Sequence, residues 1–404
     1  MTRKGVWGLQ QVRDKYLSSL WEQSFYLLSM GQGNYGEMAN NENGDGASRS
    51  SPVQLGGTLE KGWKTIDTGK EAFLGTRDNG QLWIAGENDY GQLGMNERGT
   101  GDSGSTRRSS PTQIPGTTWD TVKSNAYTSM AVKTDGTLWM WGRNSAGALG
   151  QNNTTHYSSP KQVGTNTTWT SNISSGYNVG AIKSDGTLWT WGSAAAGRLG
   201  HNNNTQYSSP KQVRTNTTWS KIVVSGTSSI SIKTDGTLWC WGNNEVGELG
   251  QNNKTNYSSP KQVGTDTTWS DIGASTSSDE TAMVAIKTDG TMWSWGGNEQ
   301  GELGQNDKTD YSSPRQMGTA TTWKHVWGNH YSPGRKFWAS KTDGTLWNWG
   351  NGGYGALGHN NTSTYSSPRQ LGTDTSYAAL NKDQLCVGDR VSYIMKPVLT
   401  PSQL

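Results

Sequence analysis

The sequence predicts an all-β chain folded as a seven-bladed β-propeller, and three recurring signals predict it. A Gly is followed five residues later by a second Gly, with Leu or Met two residues beyond, at Gly31/Gly36, Gly86/Gly91, Gly142/Gly147, Gly192/Gly197, Gly242/Gly247, Gly296/Gly301 and Gly350/Gly355. Ser-Ser-Pro-x-Gln keeps the same beat, with its proline at Pro52, Pro111, Pro160, Pro210, Pro260, Pro314 and Pro368. Asp-Gly pairs followed by a Trp-x-Trp stretch recur at Asp135, Asp185, Asp235, Asp289 and Asp343, loosened to Asn79-Gly80 in the second repeat. The glycine pairs are spaced by 55, 56, 50, 50, 54 and 54 residues. A period of about fifty marks a propeller or an array.

The third repeat shows how one blade is built. Trp119-Asp120-Thr121-Val122 starts a strand and Met130-Ala131-Val132 forms the next. Lys133–Thr137 is then a turn, and its Asp-Gly pair predicts a type I′ hairpin with positive φ at both central residues. Leu138-Trp139-Met140-Trp141 follows as a strand whose period of two places both tryptophans on one face. A glycine-rich stretch leads to a fourth strand opening at the repeated proline, which lacks a ladder donor and belongs on an edge. Four short antiparallel strands, seven times over, make a propeller.

The ends predict how the ring closes. Phe25-Tyr26-Leu27-Leu28 reads as a strand with no Asp-Gly hairpin before it, and Thr373–Leu380 reads as a worn copy of the Thr-Thr-Trp strand start. The C-terminus is therefore expected to supply the first strands of the blade that the N-terminus finishes, with Tyr377–Leu380 paired to Phe25–Met30. This divides the chain into an N-terminal segment (1–20), the propeller (21–380) and a closing strand and tail (381–404).

Composition excludes several classes of function. Only 30% of the 404 residues are hydrophobic, and 21 tryptophans make up the deficit, each able to bury roughly 150–250 Å². No apolar run approaches the length of a membrane span, and no apolar stretch follows Arg3 and Lys4 as a secretory signal requires. Cys240 and Cys386 form no disulfide framework, and Cys240, between two strand tryptophans, reads as a core residue. A net charge of +3 gives no nucleic-acid footprint. The aspartates of the Asp-Gly turns recur where a turn needs them, so they are structural rather than catalytic. His156, His201 and His359 fall in polar loops without the paired spacing of metal ligands. No cofactor, metal or catalytic centre is expected.

The units Lys-Thr-Asp-Gly-Thr-Leu-Trp-x-Trp-Gly, Asn-x-x-Gly-x-Leu-Gly and Ser-Ser-Pro-x-Gln resemble the repeats of the regulator of chromosome condensation family, over roughly residues 20–380. The resemblance implies a seven-bladed propeller closed through a shared blade. Chromatin-bound members promote nucleotide exchange on a small GTPase and touch nucleosomes through a basic tail; here the N-terminus offers only Arg3, Lys4, Arg13 and Lys15 among apolar residues. Loops such as Gln151–Pro160, and the opening Gly5-Val6-Trp7-Gly8-Leu9-Gln10-Gln11-Val12-Arg13-Asp14, resemble bacteriophage versions of the repeat. That likeness implies a non-enzymatic virion structural protein in a tail, fibre or capsid-surface appendage, located in the virion. Its partners would be other virion proteins or a host-surface glycan or receptor. The alternative is an intracellular regulator binding a small GTPase or chromatin.

Departures from the repeat mark two candidate sites. Repeats six and seven take 20 residues from the strand-start Trp to the turn Asp where repeats three to five take 16, and the connections after the glycine pairs of repeats one and two are also long. In a four-stranded blade all these connections emerge on one face, so four elaborations gather on one arc over blades six, seven, one and two. Loops on a rigid support commonly carry function. The arc holds Arg98, Arg107, Arg108, Asp279, Glu280, His330, Tyr331, Arg335, Lys336 and Phe337, and is either a binding surface or neutral loop drift. In the N-terminal segment, Trp7, Leu9, Val12, Tyr16, Leu17 and Leu20 follow helical spacing and would dock on the propeller itself or on a neighbouring protein.

Overall fold

A computed structural model describes residues 25–42, 48–54, 62–99, 106–276, 280–329 and 334–397. Within them lie twenty-eight strands, β1 to β28 in chain order, in seven four-stranded antiparallel sheets. Six blades are consecutive in sequence; blade three, for example, runs β7 (Trp119–Ser124), β8 (Thr128–Lys133), β9 (Leu138–Gly142), β10 (Tyr157–Gln162).

Each Asp-Gly turn is a three-residue loop rather than the expected type I′ pair. Gly136 N donates to Lys133 O at 2.9 Å, which makes Thr134 and Asp135 the central residues, and of these three only Gly136 has positive φ, at 76°. The reason is side-chain chemistry. Asp135 Oδ1 accepts from Thr137 N (3.0 Å) and Thr137 Oγ1 (2.7 Å), and the same hydroxyl accepts from Trp139 Nε1 at 2.8 Å. A left-handed glycine then completes the loop. Glycine is obligatory there, because a Cβ on Gly136 would lie 2.1 Å from Thr167 O. The repeated proline sits fourth in the outer strand instead of opening it, and the β9–β10 register shifts between Tyr157 and Lys161 to pass it.

The glycine pair and the Ser-Ser-Pro motif keep phase because they touch across blades. A Cβ on Gly147 would come 2.6 Å from Ser208 Cα of the next blade, and Asn152, at φ 56°, donates its N–H to Ser208 O at 2.7 Å. The stitch closes the circle: Asn360 N donates to Ser50 O (2.7 Å) from blade seven to blade one, and Asn41 N to Ser109 O (2.9 Å) from blade one to blade two. Asparagine tolerates the left-handed backbone that this needs. The second tryptophan of each pair fills the space between blades: Trp141, Trp191, Trp241, Trp295 and Trp349 are fully buried. Trp241 Nε1 donates to Arg198 O of the preceding blade at 2.9 Å. Cys240 is likewise buried in this core.

The ring closes through a shared blade, with a different strand from the one expected. Residues Ser376–Ala379 form a short 3-10 turn. The closing strands are β27 (Leu385–Val387) and β28 (Val391–Pro397), in the order β2-β1-β28-β27, where β1 is Phe25–Gly31 and β2 is Arg49–Gln54. The register runs from Phe25↔Pro397 to Gly31↔Val391. Between the turn and β27, Lys382 and Asp383 bolt opposite sides of the ring. Lys382 Nζ lies 3.3 Å from Asp271 and 2.9 Å from Ile272 O in blade six, and its carbonyl accepts from Trp327 Nε1 of blade seven at 3.0 Å. Asp383 pairs with Lys123 of blade three at 2.8 Å and accepts from Ile66 N of blade two at 2.8 Å. Burial alone would raise Asp271, but Lys382, His325 and Lys221 outweigh it and hold the carboxyl well below its usual range.

Candidate functional site

Connections between the first and second and between the third and fourth strands of every blade emerge on one face, the loop face; the Asp-Gly hairpins occupy the other, the turn face. Because the blades superpose, their loop-face positions can be compared register by register. Just before the second strand stand, from blade one to seven, Arg390, Glu71, Tyr127, Tyr177, Thr227, Glu280 and Arg335. Just after the first glycine of each pair stand Gln32, Glu87, Arg143, Ser193, Asn243, Gly297 and Asn351. Just before the second glycine stand Tyr35, Tyr90, Ala146, Ala196, Val246, Gln300 and Tyr354. Repeats that agree almost residue for residue elsewhere share little here.

These varied residues join into a continuous cation–aromatic arc over blades seven, one, two and three. The Arg390 guanidinium lies 5.5 Å from the Tyr354 ring and 5.9 Å from that of Tyr35, and Arg107 covers the other approach to Tyr35 at 4.3 Å. Arg107 and Arg390 also hold the buried carboxyls Glu87 (3.4 Å) and Glu71 (3.1 Å). Burial raises Glu87 to about 9, helped by its side-chain hydrogen bond to Glu71 and by the charge of Glu71. Further round, Lys70 donates to Tyr127 Oη at 3.4 Å, Tyr90 and Tyr127 pack at 4.8 Å, and Arg143 lies 5.1 Å from the Tyr90 ring and 5.5 Å from that of Tyr127. Tyr354 is 51% and Tyr177 42% exposed, the large hydrophobic side chains that the described residues present to solvent. Opposite, Glu245 and Glu299 are exposed on blades five and six.

The residues chosen from loop length divide in five ways. Arg107 belongs to the arc. Arg335, at φ 36°, pairs with Glu299 and stands 4.0 Å from Glu280, joining blade seven to blade six. Arg98 and Arg108 lie outward: Arg98 is exposed beside Glu97 and His156, and Arg108 pairs with Glu97. Lys336 and Phe337 are not surface groups. Lys336 opens β24 (Lys336–Lys341), is fully buried, and donates to Asp389 O; burial lowers its ammonium to about 8. Phe337 is buried and stacks on Trp349 at 5.7 Å. Asp279, His330, Tyr331 and the docking residues Trp7, Leu9, Val12 and Tyr16 lie outside the described residues. The extra residues of blades six and seven brace one another, Thr276 N donating to Asn329 O (3.0 Å) and Lys336 N to Ser275 Oγ (3.0 Å).

Loop length missed Tyr35, Lys70, Tyr90, Tyr127, Arg143, Tyr354 and Arg390. For Tyr35, Tyr90 and Tyr354 the signal was the unspecified residue before the second glycine of the Asn-x-x-Gly-x-Leu-Gly unit, which differs between copies whose framework does not; Arg143 stands just after the first glycine, and Lys70, Tyr127 and Arg390 stand in the connection before the second strand. Among the described residues no group of three or more His, Cys, Asp or Glu side chains is arranged to hold a metal ion, and no helix is long and apolar enough to cross a membrane.

Comparison with known proteins follows the repeats. The sequence model of the Regulator of chromosome condensation (RCC1) repeat matches residues 135–182, 185–232, 235–277, 289–327 and 343–393. The E3 ubiquitin-protein ligase HERC2 of Homo sapiens is 30% identical over 139 residues, 33% of this chain and 3% of that protein. The X-linked retinitis pigmentosa GTPase regulator of Mus musculus is 29% identical over 137 residues, 34% of this chain and 13% of that protein. The chain thus spans a small fraction of the curated relatives it matches. Among solved structures, Prp20p from Saccharomyces cerevisiae, described with its binding to Gsp1p and histones, superposes with a TM-score of 0.78 at 17% identity, covering 95% of this chain and 93% of that one. That likeness is one of fold.

Proposed function

Because the chain belongs to the regulator of chromosome condensation (RCC1) repeat family, we propose that it is a non-enzymatic binding scaffold whose loop face recognises another macromolecule. The observation that carries this is the coincidence of variation with chemistry. The positions at which near-identical repeats differ are the ones that assemble the Tyr–Arg arc, and Tyr and Arg are the side chains on which binding energy concentrates. A rigid ring holding them in place leaves little to be ordered on binding.

Within this reading the chain is a virion structural protein, part of a bacteriophage tail, fibre or capsid-surface appendage, with other virion proteins or a host-surface receptor or glycan as partners. The Asn- and Thr-rich loops, the Gly5–Asp14 opening and the near-identity of repeats three to five support it. A second reading, an intracellular regulator that grips a small GTPase or chromatin, is favoured by the relatives: Prp20p is described as binding Gsp1p and histones, and another relative is named a GTPase regulator. Mass spectrometry of purified particles separates the two. The virion reading expects this chain in intact particles at a fixed ratio to the capsid protein; its absence from them, with co-purification of a GTPase or nucleosomes from cells, would establish the second.

A further inference from the structure

A cleft of about 150 Å³ opens on the loop face between blades three and four. Tyr127 and Tyr177 stand at its sides, Ala146 and Ala148 line it, and Arg143 and Ser193 are at its margin. It is open because blade three is small where blade two is large: the places of Ala146 and Ala148 are taken by Tyr90 and Gln92 in blade two, while blade four carries Ala196 and Arg198 there. A cavity of this volume accepts one six-membered ring.

Arg143 is the charged side chain in its lining, and it is placed to meet an anion. Arg143 is held against the Tyr90 and Tyr127 rings, and its Nε donates to Ser145 Oγ at 3.1 Å, leaving its terminal amino groups without a partner among the described residues. Beyond the lining, Lys70 reaches Tyr127 Oη while paired with Glu71 at 3.5 Å, and Arg198, which donates to Ala195 O and Gly226 O, lies 5.9 Å from the Tyr177 ring. Behind the cleft, Gly192 packs between Ala148 and Asn178. Asn178 is fully buried, and neither atom of its amide finds a hydrogen-bond partner. Asn125 braces the wall instead, its Nδ2 donating to Ser175 Oγ (2.8 Å) and Gly176 O (2.6 Å) of blade four.

We propose that this cleft is a subsite for a carboxylated pyranose, the acidic unit of a glycan: the ring lies between the tyrosines over the alanines, and its carboxylate meets Arg143. The inference deepens the scaffold reading and rests on it. A sugar suits the site better than a peptide because the open edge of each sheet is its outer strand, as in β14 (Tyr207–Gln212), at the rim of the ring. The loop face thus offers no strand edge to which a peptide could add. Planar guanidinium recognition of a carboxylate supplies the charge selectivity.

Saturation-transfer NMR titration of the full chain with glucuronate, glucose and a blocked Phe-Glu dipeptide tests this. Glucuronate should bind with a dissociation constant of roughly 1 mM, as expected of a single small contact, and at least tenfold more tightly than glucose. Arg143→Gln should remove that preference and leave glucose unchanged. Ala146→Tyr, which installs what blade two already carries, should abolish both signals at an unchanged melting temperature. No transfer to glucuronate, transfer that survives Ala146→Tyr, or tighter binding of the dipeptide would overturn the sugar site. Capture of a protein partner through the loop face, with the cleft silent to glucuronate, would overturn the sugar site and leave the scaffold reading standing.

Discussion

The two faces of the ring are made by the same seven repeats and follow opposite rules. On the turn face, blades three to seven repeat one device: Asp, left-handed Gly, Thr and Trp in a fixed hydrogen-bond relay, with a lysine over two tryptophans. Lys133 lies 4.6 and 4.1 Å from Trp119 and Trp139; Lys233 lies 4.8 and 4.1 Å from Trp219 and Trp239. On the loop face, the corresponding residues pass from Arg to Glu to Tyr to Thr around the circle. Copies of a repeat begin alike. Positions that hold the ring stay alike because every blade meets the same neighbour, and the divergent positions are those released from that duty. The lesson is that substitutions between copies mark out the Tyr–Arg arc of the loop face more sharply than loop length does.

The comparison breaks first if the framework is not what holds the ring. Removing residues 381–404 takes away β27, β28 and the Lys382–Asp383 bolt, and should abolish the cooperative thermal transition, because blade one keeps only β1 and β2. A truncated chain that melts like the full one would mean closure by other contacts. On the turn face, Gly236→Ala forces a left-handed alanine whose Cβ meets Thr267 O at 2.0 Å. It should cost about 2–4 kcal/mol by denaturant titration.

A third effect runs with pH. Burial raises Glu37, Glu248 and Glu302 from 4.5 to about 7. Between those values these groups keep protons in the folded chain that they have lost in the unfolded chain, so their contribution to stability is full below pH 4.5 and falls as pH rises towards 7. Each group is worth on the order of 3 kcal/mol across that window. Glu248→Gln, the amide that Gln92 supplies in blade two, should flatten the slope by about a third of the sum of these three terms. Equal slopes in variant and parent would show that Glu248 ionises normally. Smallest of all, Tyr354→Ala and Arg143→Gln should each shift stability by less than about 0.5 kcal/mol; a loss several times larger would make the arc part of the framework.

Much of the fold was legible because propeller contacts are local and periodic. The glycine pair and Ser-Ser-Pro motif were visible without their reason, which is the contact between Gly147 and Ser208 and its six counterparts. The closing strand was misplaced because Val391–Pro397 carries no Trp or Asp-Gly; it is recruited by pairing to Phe25–Gly31, which sequence periodicity does not encode. The turn type was misread because Thr137 caps Asp135 and displaces the positive φ onto Gly136 alone. At the site, Lys336 and Phe337 were misassigned because the added residues end at Arg335, where the strand begins again. The tyrosines of the arc went unread because a ring at an unspecified position resembles linker until its neighbours in space are known. Tyr177, which the sequence places in a regular blade, is a wall of the cleft.

The central claim is that recognition belongs to the loop face, and site-specific photo-crosslinking tests it most directly. A benzophenone amino acid is placed at Tyr354 or Tyr177 on that face, and at the exposed Thr134 or Thr234 on the turn face. Each chain is irradiated in the particles or cells that produce it, and adducts are mapped by mass spectrometry. The account predicts a common partner adduct from Tyr354 and Tyr177, and none from Thr134 or Thr234. The same adduct from the turn-face positions, with none from Tyr354 and Tyr177, would contradict it.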